Sequence, residues 1–172
     1  MNEILKNMET RRSVRAYTAQ PVEPEKLDAI LEAGTYAASG MGRQPVKLVA
    51  VTDKATREEL SRMNAAIMGT ESDPFYGAPA VIVVLADRTV PTHVYDGSLA
   101  MGNLMLAAHS LGLGSCWIHR AKEEFDSAEG KALLQKWGIE GDYEGIGHCI
   151  LGYADGPEPA AKPRKEKMVY RV

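Results

Sequence analysis

Three arginines surround one serine in TRRSVRAYT, residues 10–18 of a chain whose formal net charge is −3. A guanidinium presents a rigid fork of donors, stays charged at any working pH and grips oxyanions bidentately. A nucleic-acid binder needs a broad basic face, so a short basic cluster in an acidic chain specifies a local anion instead. A second cluster, Lys162, Arg164, Lys165, Lys167 and Arg171 against Glu166, lies near the other end of the chain. Taken singly, each cluster reads as a solvated charged patch.

Other chemistries lack their residues. No GxxxxGK[ST] loop occurs, and the pairs Gly112/Gly114 and Gly145/Gly147 lack the third glycine of a dinucleotide turn. No GxSxG elbow is present, and His93, His109, His119 and His148 show neither HExxH nor any metal-ligand spacing, so no metal site is expected. His93, His109 and His148 read as satisfied structural histidines. Cys116 and Cys149 are too far apart in sequence for a CxxC pair and read as buried thiols in a reducing cytoplasm.

The elements that must position these residues follow from periodicity. PEKLDAILEAGTYAA, 24–38, places Leu27, Ile30, Leu31, Gly34 and Ala38 on one helical face behind a leading proline. VKLVAVTD, 46–53, predicts a strand, and the next helix spans roughly 54–68, with Thr56 to Glu59 helping to start it. AVIVVLADR, 80–88, is apolar on both faces and predicts an interior strand. DGSLAMGNLMLAAHSLG, 96–112, is apolar nearly all round and must be covered on every side, in a core or an interface. Asp96 and Asn103 on that helix need buried partners. SCWIH, 115–119, and GIGHCILGYA, 145–154, complete the strands, with a helix over 127–138 ending at Gly138. Residues 155–172 form an extended tail whose last five, MVYRV, are able to add as a strand.

The chain's 172 residues, 45% hydrophobic and 25% charged, suit a single α+β domain of one sheet packed by helices rather than a disordered chain. The longest apolar strand run, 80–86, is too short to span a bilayer, so the expectation is a cytoplasmic protein that binds neither membrane nor nucleic acid.

RRSVRAY, AASGMGRQP, DGSLAMGNLMLAAHSLGLGSCWI and KPRK, in that order over nearly the whole chain, resemble the FMN-dependent nitroreductase family. The resemblance implies a sandwich with a mixed central sheet flanked by helices, in an intertwined homodimer with two FMN molecules at the interface. It places Arg11 and Ser13 at the phosphate and ribityl side with Arg12 alongside, and Arg15 near the pyrimidine end, where a cation stabilises the charge left by reduction. Lys162 and Arg164 would close the phosphate site, with Lys165 a substitute. Ala38, Ser39, Gly40 and Gln44 would reach the flavin of the partner chain. Gly40, Gly42 and Val46 stand where the family commonly has a second serine, an asparagine and a tryptophan, and loss of the asparagine removes a hydrogen bond of about 1 kcal/mol. Ile118, His119 and Arg120 would run along the ring with a backbone N–H near N5. His119 is the one histidine with a catalytic reading, proton donation to a reduced acceptor; its other reading is a side chain that points elsewhere.

The implied activity is ping-pong transfer from NAD(P)H through flavin N5 to a nitroaromatic, quinone or similar acceptor. Two rivals stand beside it: a non-catalytic FMN sensor or storage protein, and a cofactor-free domain holding an acidic or phosphorylated partner.

Overall fold

The computed structural model describes residues 2–172. Four strands, β1 (Val46–Val51), β2 (Ala80–Asp87), β3 (Gly114–Ile118) and β4 (Tyr143–Gly152), form one sheet in the order β1-β2-β4-β3. Every pairing between named strands is antiparallel, and the parallel component is a single bridge, Ser13 with Ser115. Six helices pack around it: α1 (Glu3–Thr10), α2 (Pro24–Thr35), α3 (Lys54–Met68), α4 (His93–Ser110), α5 (Ala121–Asp126) and α6 (Ala128–Lys136).

The sheet has a core on each face, which explains the unbroken apolar sequence of β2. Val81, Val83 and Leu85 face Leu60, Phe75, Phe125 and Ile150 on one side. Ala80, Ile82, Val84 and Ala86 face Ile30, Met101, Leu104 and Cys149 on the other. Period-two alternation thus sends successive side chains into different cores. Cys116 belongs to the first core and Cys149 to the second, so their thiols lie on opposite faces of the sheet and stay free.

Local signals set the helix ends. Asp53 starts α3 by accepting from Thr56 N at 2.8 Å, and Gly69 ends it at φ 73°; the cap is one turn earlier than the Thr56–Glu59 reading. Ser127 caps α6 through Gly130 N at 3.0 Å. α4 packs against α2 and the sheet, yet Val94, Tyr95 and Leu99 stay exposed, so this chain covers only part of its apolar circumference. Residues 155–172 are exposed and carry no helix or strand, including 168–172. Among the described residues no helix is long and apolar enough to cross a membrane.

Candidate functional site

The sequence-predicted residues gather at two opposite edges of the sheet. At the β3 edge, residues 11–18 run beside the strand: Val14 N donates to Ser115 O at 3.0 Å, and Tyr17 Oη donates to Val14 O at 2.8 Å. Gly114 admits this strip, because a Cβ there would stand 2.9 Å from the Val14 side chain. Arg11 follows α1, its N–H closing the last turn on Asn7 O at 3.1 Å. Its Nη1 is buried and has no hydrogen-bond partner among the described residues, and the same holds for Ser115 Oγ. Arg12 turns back, donating to Glu9 O at 2.7 Å and Arg11 O at 2.8 Å. Burial, reinforced by Cys116, pushes the Cys149 thiol far above its ordinary value against the opposing pull of Arg11, which keeps it protonated and inert.

Arg15, Ile118, His119 and Arg120 line a hollow of ≈ 270 Å³, walled on its far side by Met68, Pro74 and Tyr76. His119 is exposed, and Arg120 sits in left-handed backbone at φ 77° as the N-cap of α5. Sequence reasoning missed the far wall. Met68 ends α3, and Pro74 and Tyr76 belong to the loop that follows, clamped by Asp73, which accepts from Arg57 Nη2 at 2.5 Å, Ser61 Oγ at 2.6 Å, Gly77 N at 2.7 Å and Phe75 N at 2.9 Å.

Burial of Asp73 opposes its ionisation, but the bonds from Arg57, Ser61, Gly77 and Phe75 outweigh it and hold the carboxyl at about 2. The folded value lies below the ordinary one, so this contribution is complete above the usual aspartate range and is lost as pH falls through about 2. Asp73→Asn is therefore expected to lower the thermal midpoint at neutral pH and to flatten its fall between about pH 4 and 2. Parallel melting curves for the parent and variant across that window would contradict the clamp.

At the β1 edge, α2 ends at Thr35 and a separate 3₁₀ turn follows at Gly40–Gly42, with Met41, Gly42 and Gln44 at φ 56°, 66° and 49°. Asp96 holds this loop, accepting from Gly40 N at 3.0 Å and Thr92 Oγ1 at 2.8 Å, while Ser39 Oγ accepts from Gln44 N at 3.0 Å. A Cβ at Gly40 would stand 2.4 Å from Thr92 Oγ1, so the turn requires glycine there. Ala38, Ser39, Gln44, Val46 and Asp96 line a cavity of ≈ 360 Å³. Asp96 and Asn103 have the structural partners expected of them, Asn103 Nδ2 donating to Ala33 O at 3.1 Å.

With β1 and β3 at opposite ends of the strand order, three strand spacings separate the two hollows, about 14 Å across the sheet. Lys162, Arg164 and Lys165 are exposed, Arg164 Nη2 donating only to Lys162 O at 2.7 Å. Among the described residues no ion pair or hydrogen bond joins them to residues 11–15. The tail nevertheless passes close to that strip: Glu158 lies 3.8 Å from His109, whose Nε2 is 2.8 Å from Thr10 Oγ1.

The nitroreductase family profile matches residues 8–73 and 67–153, and the chain belongs to the nitroreductase family. It is 34% identical over 177 residues to an Archaeoglobus fulgidus protein whose name couples NADH dehydrogenase with NAD(P)H nitroreductase, covering 100% of this chain and 92% of that one. A Bacteroides fragilis nitroreductase crystallised with bound FMN superposes with a TM-score of 0.91 at 32% identity, covering 100% of both chains. A nitroreductase with bound FMN from Desulfitobacterium hafniense gives 0.89 at 29% identity, again over 100% of both.

Proposed function

We propose that this chain is an NAD(P)H-dependent flavin oxidoreductase that holds FMN between two copies of itself and reduces small electron-poor acceptors such as nitroaromatics or quinones. The observation that carries the reading is Arg11 Nη1, a buried donor with no hydrogen-bond partner among the described residues, in the basic strip at the edge where the His119 hollow opens. A buried orphan donor is costly and rare, and a phosphate oxygen satisfies it.

When bound, FMN would supply the two-electron redox chemistry that links NAD(P)H oxidation to reduction of the acceptor. The chain's residues do the rest. Arg11, Arg12 and Ser13 hold the phosphate and ribityl side, with Lys162, Arg164 and Lys165 folding over it from the tail. Arg15, exposed at the hollow, sets a positive charge at the pyrimidine end. The backbone of Ile118–Arg120 lies along the ring, and the exposed His119 side chain reaches the acceptor side.

Ala38, Ser39, Gly40 and Gln44 are too far across the sheet to serve the same ring, so they serve the one held by a second copy. Exposed Ile4, Leu5 and Met8 on α1 and Val94, Tyr95 and Leu99 on α4 supply apolar surface for that pairing. Two free thiols on opposite sheet faces fit a reducing cytoplasm.

Freshly purified protein is expected to be yellow, with its flavin absorbance bleached by NADH or NADPH under anaerobic conditions. Colourless protein that takes up no added FMN would reject the reading. A flavin that stays oxidised under both nucleotides would favour the sensor or storage role to which the residues at Gly40, Gly42 and Val46 point.

A further inference from the structure

Behind the β3-edge hollow lies a chain of polar groups that the proposed reaction does not use. Asn64 on α3, Glu124 on α5 and His148 on β4 are all 0% exposed. His148 Nε2 lies 2.9 Å from Glu124 Oε2, and Glu124 Oε1 accepts from Asn64 Nδ2. The same Asn64 amide donates to His119 O at 2.8 Å and accepts from Arg120 Nε at 2.9 Å on Oδ1. The carboxylate thereby decides which way the amide faces, since only its NH₂ side can meet both Glu124 and the His119 carbonyl.

That carbonyl is the lever. In a trans peptide the C=O and the following N–H point in opposite directions, and among the described residues there is no cis peptide. Asn64 draws the His119 C=O toward the interior, so the Arg120 N–H points the other way, out of the core at the rim of the hollow. Among the described residues this N–H donates to nothing. Its φ of 77° is one that non-glycine side chains resist, and the bonds to Asn64 from both sides of the 119–120 peptide hold it there. Arg120 O then accepts from Glu124 N at 3.1 Å, closing the first turn of α5.

A structural role alone gives a poor account of this arrangement. A buried carboxylate–histidine pair is commonly replaceable by apolar residues at no loss of stability, and Phe75 and Phe125 already flank His148 with ring centroids at 5.1 and 6.2 Å. We propose that Asn64, Glu124 and His148 are positioning residues that fix the 119–120 peptide and aim the Arg120 N–H at N5 of FMN. This rests on the flavin reading above.

The test uses the full-length ¹⁵N-labelled chain titrated with FMN. In the parent protein the Arg120 amide should shift more than those of Ala121 or Phe125. Asn64→Leu, which keeps the branched heavy-atom skeleton but is bulkier and removes both polar groups, should weaken FMN binding about tenfold, the effect of one poorly placed hydrogen bond, and abolish the Arg120 response. Glu124→Gln keeps an acceptor toward Asn64 and should keep that response. An Asn64→Leu protein with parental affinity and an unaltered Arg120 shift overturns the inference. Should that variant fail to fold, the parent still decides, because FMN binding that leaves the Arg120 amide unmoved overturns it equally. Parent protein that binds no FMN brings down the flavin reading itself and this inference with it.

Discussion

Arg11→Met is expected to strip FMN from the protein while leaving the apoprotein as stable as the parent, or more so. The two signs come from one atom. Arg11 Nη1 is buried and unpartnered among the described residues, which costs the apoprotein about 1–3 kcal/mol of desolvation. Methionine fills much of the same space without a donor to satisfy. In the proposed flavin complex the same guanidinium would make charge-assisted bonds to the phosphate, worth about 1.5–3 kcal/mol, so its loss should raise the dissociation constant by about 10- to 100-fold. A fluorescence titration with FMN and a melting curve of apoprotein measure the two halves separately. Arg15→Met is the contrasting control: Arg15 is exposed, and its charge should act more on the ease of flavin reduction than on retention. If Arg11→Met keeps full, tightly held flavin, the phosphate lies elsewhere.

What the sequence reveals and what it hides divides along the range of the interactions. β2 was legible because a strand between two cores must be apolar at every position, and α3 and α4 announced themselves by period and composition. α5 was not legible. At six residues it is too short for helical periodicity, and the Glu124 in AKEEFD looks solvated although it is fully buried. Asn64 did leave a trace, since it falls four residues after Leu60 and one after Met63 on the buried face of α3. A polar residue at an apolar position is a question the sequence had already asked.

Residues 11–15 and 37–45 stood out as local motifs, but their arrangement was not legible. Strand order joins β1 to β2 and β3 to β4 through pairings far apart in sequence, and only that order places residues 11–15 and 37–45 at opposite edges. The apolar circumference of α4 was also plain from sequence. That this chain leaves part of it bare at Val94, Tyr95 and Leu99 depends on where α2 and the sheet end.

Opposite edges lead to the second large effect, which is complementation between two defective chains. Arg11→Met damages the β3-edge half of the site. Gly40→Ala damages the β1-edge half, because the added Cβ stands 2.4 Å from Thr92 Oγ1 and must displace the turn that Asp96 holds through Gly40 N. In the proposed homodimer, either variant alone would carry the same fault in both sites and bind FMN weakly. A mixed dimer of a twofold assembly joins the two intact halves in one site and the two damaged halves in the other. Unfolding the two variants together and refolding them at equal concentration should therefore return about a quarter of all sites to parental affinity, against almost none for either variant refolded alone. Stoichiometric titration with FMN reads that fraction directly. No recovery, with mixed dimers demonstrably formed, would mean that residues 11–15 and 37–45 do not meet around one shared ligand.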